Sequence, residues 1–257
     1  MMGDRLRRWI ATAVSIVWTA CLLAACAGSD HPQALAADTT APLPVPQHWS
    51  VFLVAGDNAA PVFDNAIRRF DGLLTGPSFG PVHNFSADEM PGTDIATGDR
   101  LAAAMATIPG NATEGCLVFI TSHGSRDGVA MKADFAYEQR LTPAHLEELL
   151  DSSCGARPTV AIISACFSGI FLDLSAPNRI ILTAARSDRT SFGCGAEFEY
   201  TYYDSCLLDQ WPQVPDFHFL YRGVVDCVRE KERKLGILPS EPQASFGAQI
   251  SALPLPR

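Results

Sequence analysis

The stretch Thr159–Gly169, TVAIISACFSG, constrains this chain more than any other. Val160 to Ile163 form a run of apolar and β-branched residues, the pattern of a strand buried on both faces of a parallel sheet. The run stops at Ser164. Ala165, Cys166, Phe167, Ser168 and Gly169 are mostly small, so the backbone can turn sharply there and leave the Cys166 sulfur at the carboxyl edge of a sheet. Open α/β sheets place their chemistry at that edge. A second run, Cys116–Ile120 (CLVFI), has the same form and ends in Thr121, Ser122, His123, Gly124 and Ser125. Two strands of one parallel sheet then bring a histidine and a cysteine to the same rim.

The rest of the chain supplies the alternation that such a sheet needs. Trp49–Ala55 reads as a first buried strand, turned by Gly56, Asp57 and Asn58. Asp64–Leu74 and Thr97–Ile108 repeat apolar residues at helical spacing, and Val82–Phe85 between them makes a short strand. Gly128–Tyr137 mixes small and polar residues without a period, as a hairpin or a loop does. Thr142 and Pro143 suit the cap and first position of a helix that ends by Ser152. Arg179–Ala185 is a fourth buried strand, followed by a polar loop over 186–195 and helices over 201–210 and 216–235. Pro239–Arg257 carries four prolines and reads as a surface tail. Strand alternating with helix predicts one three-layer α/β domain with a mainly parallel central sheet flanked by helices.

The first 47 residues stand apart. Arg5, Arg7 and Arg8 form a basic patch, Trp9–Leu23 is apolar, and small residues follow, which is the layout of an export signal over 1–25. The apolar run is shorter than the ~20 residues a membrane-spanning helix needs. Leu23, Ala24, Ala25 and Cys26 resemble a bacterial lipoprotein signal in which Cys26 is lipidated, the alternative being a plain signal peptide cut nearby, so the expected location is the periplasmic side of a bacterial cell envelope, with the membrane as a partner. Residues 26–47 are rich in Ala and Pro and read as an extended tether, and the folded domain starts at His48. A net charge of −9 without clustered cations argues against nucleic acid as a partner.

Alone, a cysteine at a strand end is usually a small buried hydrophobe. His123 and Cys166 together suggest more, because both follow buried strands and lie 43 positions apart, enough for one crossover. A free thiol near pKa ~8.5 is mostly protonated at neutral pH, so a cysteine nucleophile needs a base nearby, and His123 can be that base. The Gly124 and Cys166 N–H groups are the expected oxyanion donors.

VFLVAGD, FITSHGS, LTPAHLEELL, IISACFSG and ILTAARSDRTSFGCG, taken in order, resemble the bacterial branch of the legumain family of cysteine peptidases, in the caspase-like clan. The resemblance runs from about Ser50 to Pro242. It implies a caspase-haemoglobinase-like fold and a His123/Cys166 dyad that hydrolyses peptide bonds of a peptide or protein substrate through a thioester acyl-enzyme. No cofactor is implied. The same acyl-enzyme would serve a transamidase or peptide ligase, and a non-catalytic lipoprotein binding module on this fold is the reading from another class. Asparagine-specific relatives use an acidic residue two before the nucleophile, an arginine after the first strand and an aspartate beyond the last. Here those positions fall on Ser164, at or near Asp64, and beside Asp204. If Asp64 and Asp204 line the pocket, it would suit a basic side chain; the alternative for Asp64 is a helix cap. Arg186, Asp188, Ser191 and Phe192 shape one wall of the cleft by analogy, or form a satisfied surface loop.

Cys116, Cys154, Cys166, Cys194, Cys206 and Cys227 fall in the domain, and an exported protein permits disulfides. With Cys166 free, five remain, so at least one more is unpaired and the connectivity stays open. No spacing suggests a zinc site, and no metal is expected.

Overall fold

A computed structural model describes residues 41–88, 90–109, 113–134 and 137–257. The export signal and Cys26 lie outside the described residues. Of the tether, 41–47 is described, and it is held on the domain: the Leu43 N–H donates to the Gln249 carbonyl at 2.9 Å, and Pro46 is buried.

A seven-stranded sheet forms the middle layer. In chain order its strands are β1 (His48–Ala55), β2 (Phe79–Ser86), β3 (Asp94–Ile95), β4 (Glu114–Thr121), β8 (Thr159–Ser164), β9 (Arg179–Thr183) and β10 (Gln243–Phe246). In space they lie in the order β10-β9-β8-β4-β1-β2-β3, all parallel except β10, which runs antiparallel to β9. The two runs picked out in the sequence, β4 and β8, are therefore direct neighbours at the centre.

Their side chains alternate between two cores, as the period of two in a strand requires. Val51, Leu53, Leu117, Phe119, Val160 and Ile162 face one layer of helices, α1 (Val62–Asp71), α4 (Tyr202–Gln210) and α5 (Phe217–Leu235). Phe52, Val54, Val118, Ile120, Ala161 and Ile163 face the other, α2 (Gly98–Met105) and α3 (Pro143–Leu149). In the first layer the Phe70 ring stands edge-on to Phe119 and Trp211, with centroids 5.2 and 4.7 Å away. Aromatic pairs in this geometry add to the free energy of burial.

The helix signals are realised with shifted ends. Thr97 and Thr142 accept from the N–H groups of Arg100 and His145, capping α2 and α3, and Pro143 opens α3. Helix α1 starts at Val62, two residues before the expected start, so Asp64 sits inside its first turn rather than capping it. Of the hairpin or loop expected from Gly128, the structure has the hairpin: β6 (Gly128–Asp134) pairs antiparallel with β7 (Tyr137–Leu141), in a separate ribbon with β5 (Gly124–Ser125). One segment differs in kind from expectation. The expected surface tail is part of the fold: it supplies edge strand β10 and then buries Ile250, Leu253 and Leu255. Prolines at 239, 242, 254 and 256 hid it, because they bracket the strand without entering it.

Cys116 is bonded to Cys154 and Cys206 to Cys227, while Cys166 and Cys194 are free. The unpaired cysteine required by the odd number is Cys194. Cys206–Cys227 ties α4 to α5.

Candidate active site

β4 and β8 pair residue for residue from Cys116↔Thr159 to Thr121↔Ser164, and the Ser122 N–H extends the pairing to the Ser164 carbonyl at 3.1 Å. His123 and Cys166 each lie two residues beyond the last matched pair. The two leave the sheet on adjoining turns at the same level, at its carboxyl edge.

The turns themselves touch. A β-carbon at Gly124 would stand 2.2 Å from the Cys166 carbonyl oxygen and 2.9 Å from Ala165 Cβ, so only a glycine lets the histidine turn lie this close to the cysteine turn. The His123 carbonyl accepts from the Ala130 N–H at 2.9 Å, which ties this turn to the ribbon. Its ring stands edge-on to Phe63 of α1, centroids 5.2 Å apart. The imidazole is thus packed from one side by an aromatic residue that its own strand does not supply.

Cys166 is half-buried, and Phe167 after it has a left-handed backbone, φ 60°. The Phe167 N–H donates to the Arg189 carbonyl at 2.8 Å. Loop 186–195 folds over the sulfur: the Ser191 N–H donates to Cys166 Sγ at 3.4 Å, the Ser191 carbonyl lies 3.5 Å from it, and Ser191 Oγ 3.8 Å. Cys194 is on the same loop. Burial raises its thiol pKa, and the nearby Cys166 adds to that shift.

Thr121 and Ser164 fall on the α4 side of the sheet by the same alternation that sorts the cores. There they meet Asp204, which is fully buried. Thr121 Oγ1 donates to Asp204 Oδ2 at 2.7 Å. The Asp204 N–H donates to Thr201 Oγ1 at 3.0 Å, and Thr201 Oγ1 lies 3.4 Å from Ser164 Oγ. Asp204 Oδ1 has no hydrogen-bond partner. Burial pushes this carboxyl up to about 6, against its hydrogen bond with Thr121, which pulls it down. The first turn of α4 is thereby fastened to the ends of both strands that carry His123 and Cys166.

The other residues expected to bind substrate are engaged in interactions of their own. Asp64 is buried and accepts from Ser86 Oγ at 2.7 Å; burial raises its pKa and that bond opposes the rise. Arg186 Nε and Nη2 bond to Asp188 at 2.5 and 2.9 Å, and Nη1 bonds to Glu241 at 2.6 Å. The first of these ties holds the Asp188 carboxyl down at about 2. Arg186 is therefore engaged on both sides. Phe63, Thr121, Thr201 and Glu241 were not picked out from the sequence. For Thr121 the strand period was a usable signal and for Thr201 its place at the head of a helix; the other two are brought in by packing alone.

A family model described as the peptidase C13 family matches residues 88–222, a span that includes His123, Cys166 and Asp204. No curated protein matches the chain in sequence. Among solved structures the chain is similar to the crystal structure of caspase-1 from Spodoptera frugiperda, with 11% identity and a TM-score of 0.55, covering 81% of this chain and 89% of that one. This likeness concerns the fold: the parallel sheet between helical layers is caspase-like.

Proposed function

The chain belongs to the peptidase C13 family, the legumain family of cysteine-type endopeptidases, and from that premise we propose that Cys166 is its nucleophile and His123 its base and acid. The observation that carries this reading is the register of β4 and β8, which levels the two residues on adjoining turns. His123 takes the proton from Cys166, and the thiolate attacks the carbonyl carbon of the scissile bond. The Gly124 and Cys166 N–H groups receive the developing oxyanion. The imidazolium then gives its proton to the leaving amine and a thioester remains. Water, deprotonated by His123, adds to the thioester, and the carboxylic acid leaves as the thiol reforms.

A peptidyl acyloxymethyl ketone tests the assignment. The wild-type chain should lose activity with one adduct on Cys166, Cys166→Ala should take none, and His123→Ala should react at least about a hundredfold more slowly. Labelling that persists in Cys166→Ala overturns it. Including an amine acceptor in the same assay reports transamidation as a ligated product.

Asp64 and Asp204 are buried and held by Ser86 and Thr121, so the preference for a basic residue before the scissile bond has their charge alone behind it. A peptide library carrying Lys, Arg, Asn or Asp there tests this, and a preference for Asn overturns it. The layout of residues 1–26 supports a lipoprotein anchored through Cys26 on the periplasmic side of a bacterial envelope. Mass spectrometry of the amino-terminal peptide should find a lipid-modified Cys26, and Cys26→Ala should leave the membrane fraction.

A further inference from the structure

Among the described residues, two that are not glycine have a left-handed backbone: Phe167 at φ 60° and Glu241 at φ 55°. Such backbones are unfavourable and persist where the surroundings over-determine them. Glu241 is the more unexpected of the two, because it precedes Pro242, and a following proline biases a residue toward extended backbone. Both are tied to one short loop, 186–191. The Phe167 N–H donates to the Arg189 carbonyl at one side of that loop. On the other, Glu241 Oε2 accepts from Arg186 Nη1 at 2.6 Å, and Oε1 lies 3.8 Å from Arg189 Nη2.

The anchoring on the Glu241 side reaches into the core. The Arg186 N–H donates to the Ser240 carbonyl at 2.9 Å, and the Ser240 N–H donates to the buried Glu232 carboxylate of α5 at 3.0 Å. On the nucleophile side the loop lies against Gly169, where a β-carbon would stand 2.4 Å from the Ser187 nitrogen. At its far end the loop presents the Ser191 N–H to Cys166 Sγ at 3.4 Å. The Ser191 carbonyl lies 3.5 Å from the same sulfur, so the loop meets Cys166 with one donor and one acceptor.

We propose that Glu241 is a positioning residue for the nucleophile: by holding Arg186 and Arg189 it fixes loop 186–191 so that the Ser191 N–H stays on the Cys166 sulfur. This rests on Cys166 being the nucleophile. It also gives a reason for the backbone at Glu241, since in that conformation the carboxylate reaches both arginines while Ser240 keeps its bond to Glu232.

The test reads the thiol directly. Alkylation of Cys166 by iodoacetamide in the full chain is followed by mass spectrometry of its peptide across a pH series, with the Cys194 peptide measured in parallel. In Glu241→Ala the Cys166 sulfur loses the Ser191 N–H donor, and its alkylation rate should fall roughly three- to tenfold relative to wild type across the series. Glu241→Gly should lower it equally while unfolding no earlier than wild type, because glycine adopts this backbone without strain. Poor folding cannot then account for the loss. Glu241→Gln, whose amide oxygen still accepts from Arg186, should keep the wild-type profile. A Glu241→Gly profile that superimposes on wild type overturns the proposal, as does a Gln variant slowed as far as the Gly variant. Failure of Cys166 to take the substrate-like probe would instead sink the nucleophile assignment, and the alkylation profiles would still be read independently of it.

Discussion

A β-carbon on Gly124 would stand 2.2 Å from the carbonyl oxygen of Cys166. The contact is backbone against backbone, so no side chain can swing aside to relieve it. Gly124→Ala must push the histidine turn away from the cysteine turn. Overpacking of this kind costs about 1–3 kcal/mol, and the displaced imidazole adds a catalytic penalty. The variant should unfold earlier and turn over peptide at least about a hundredfold more slowly, a misplacement effect measurable as kcat beside a thermal melt. Near-wild-type kcat would show that the two turns need not touch for chemistry.

The carboxyl of Asp204 ionises at about 6 in the fold and from 3.8 when unburied. Between those values the folded chain holds a proton that the unfolded chain has released. Stability therefore falls as pH rises through this window, by about 3 kcal/mol, and is flat in this respect above it. Asp204→Asn should show a shallower fall than wild type in urea unfolding measured from pH 4 to 7, where the raised Asp64 carboxyl adds a fall of its own to both. Asp188, held at about 2 by Arg186, acts in the opposite sense at lower pH and is common to both proteins. Parallel curves for the two proteins would contradict the burial assigned to Asp204.

Cys206 and Cys227 join α4 to α5 across 21 positions. A bridge closing a loop of that size contributes about 3 kcal/mol by restricting the unfolded chain. The double variant Cys206→Ala/Cys227→Ala should lose about that much in denaturant unfolding. Because Cys166 is in neither bridge, the variant should still take the covalent probe at Cys166. A variant of unchanged stability would argue that the pair is reduced in the native protein.

Phe70 packs between Phe119 of the sheet and Trp211 after α4. Truncating a fully buried phenylalanine costs about 3–5 kcal/mol, transfer and cavity together. Phe70→Ala should lower the denaturant midpoint by that amount with the slope unchanged, and a loss under about 1 kcal/mol would mean the neighbouring rings collapse into the space.

How much of this was legible beforehand follows from the range of the interactions involved. Val160–Ile163 and Cys116–Ile120 are uniformly apolar because both faces of their strands are covered, and small residues must follow if the chain is to turn at the edge; a central parallel sheet with His123 and Cys166 at its rim is written in such local patterns. The caps at Thr97 and Thr142 are local too. What only the tertiary structure decided are contacts between parts distant in the chain, which leave no mark on neighbouring residues: Asp204 fastened to Thr121, Phe63 against the His123 ring, the choice of Cys206 for Cys227, and the 239–257 segment drawn in as an edge strand. A proline-rich stretch carries no periodic signal of its own, so its fate is set by the unpaired edge of β9 that it meets. Patterning along the chain specifies elements and where they stop, while burial and the pairing of polar groups across elements specify which of them hold His123 and Cys166 in place.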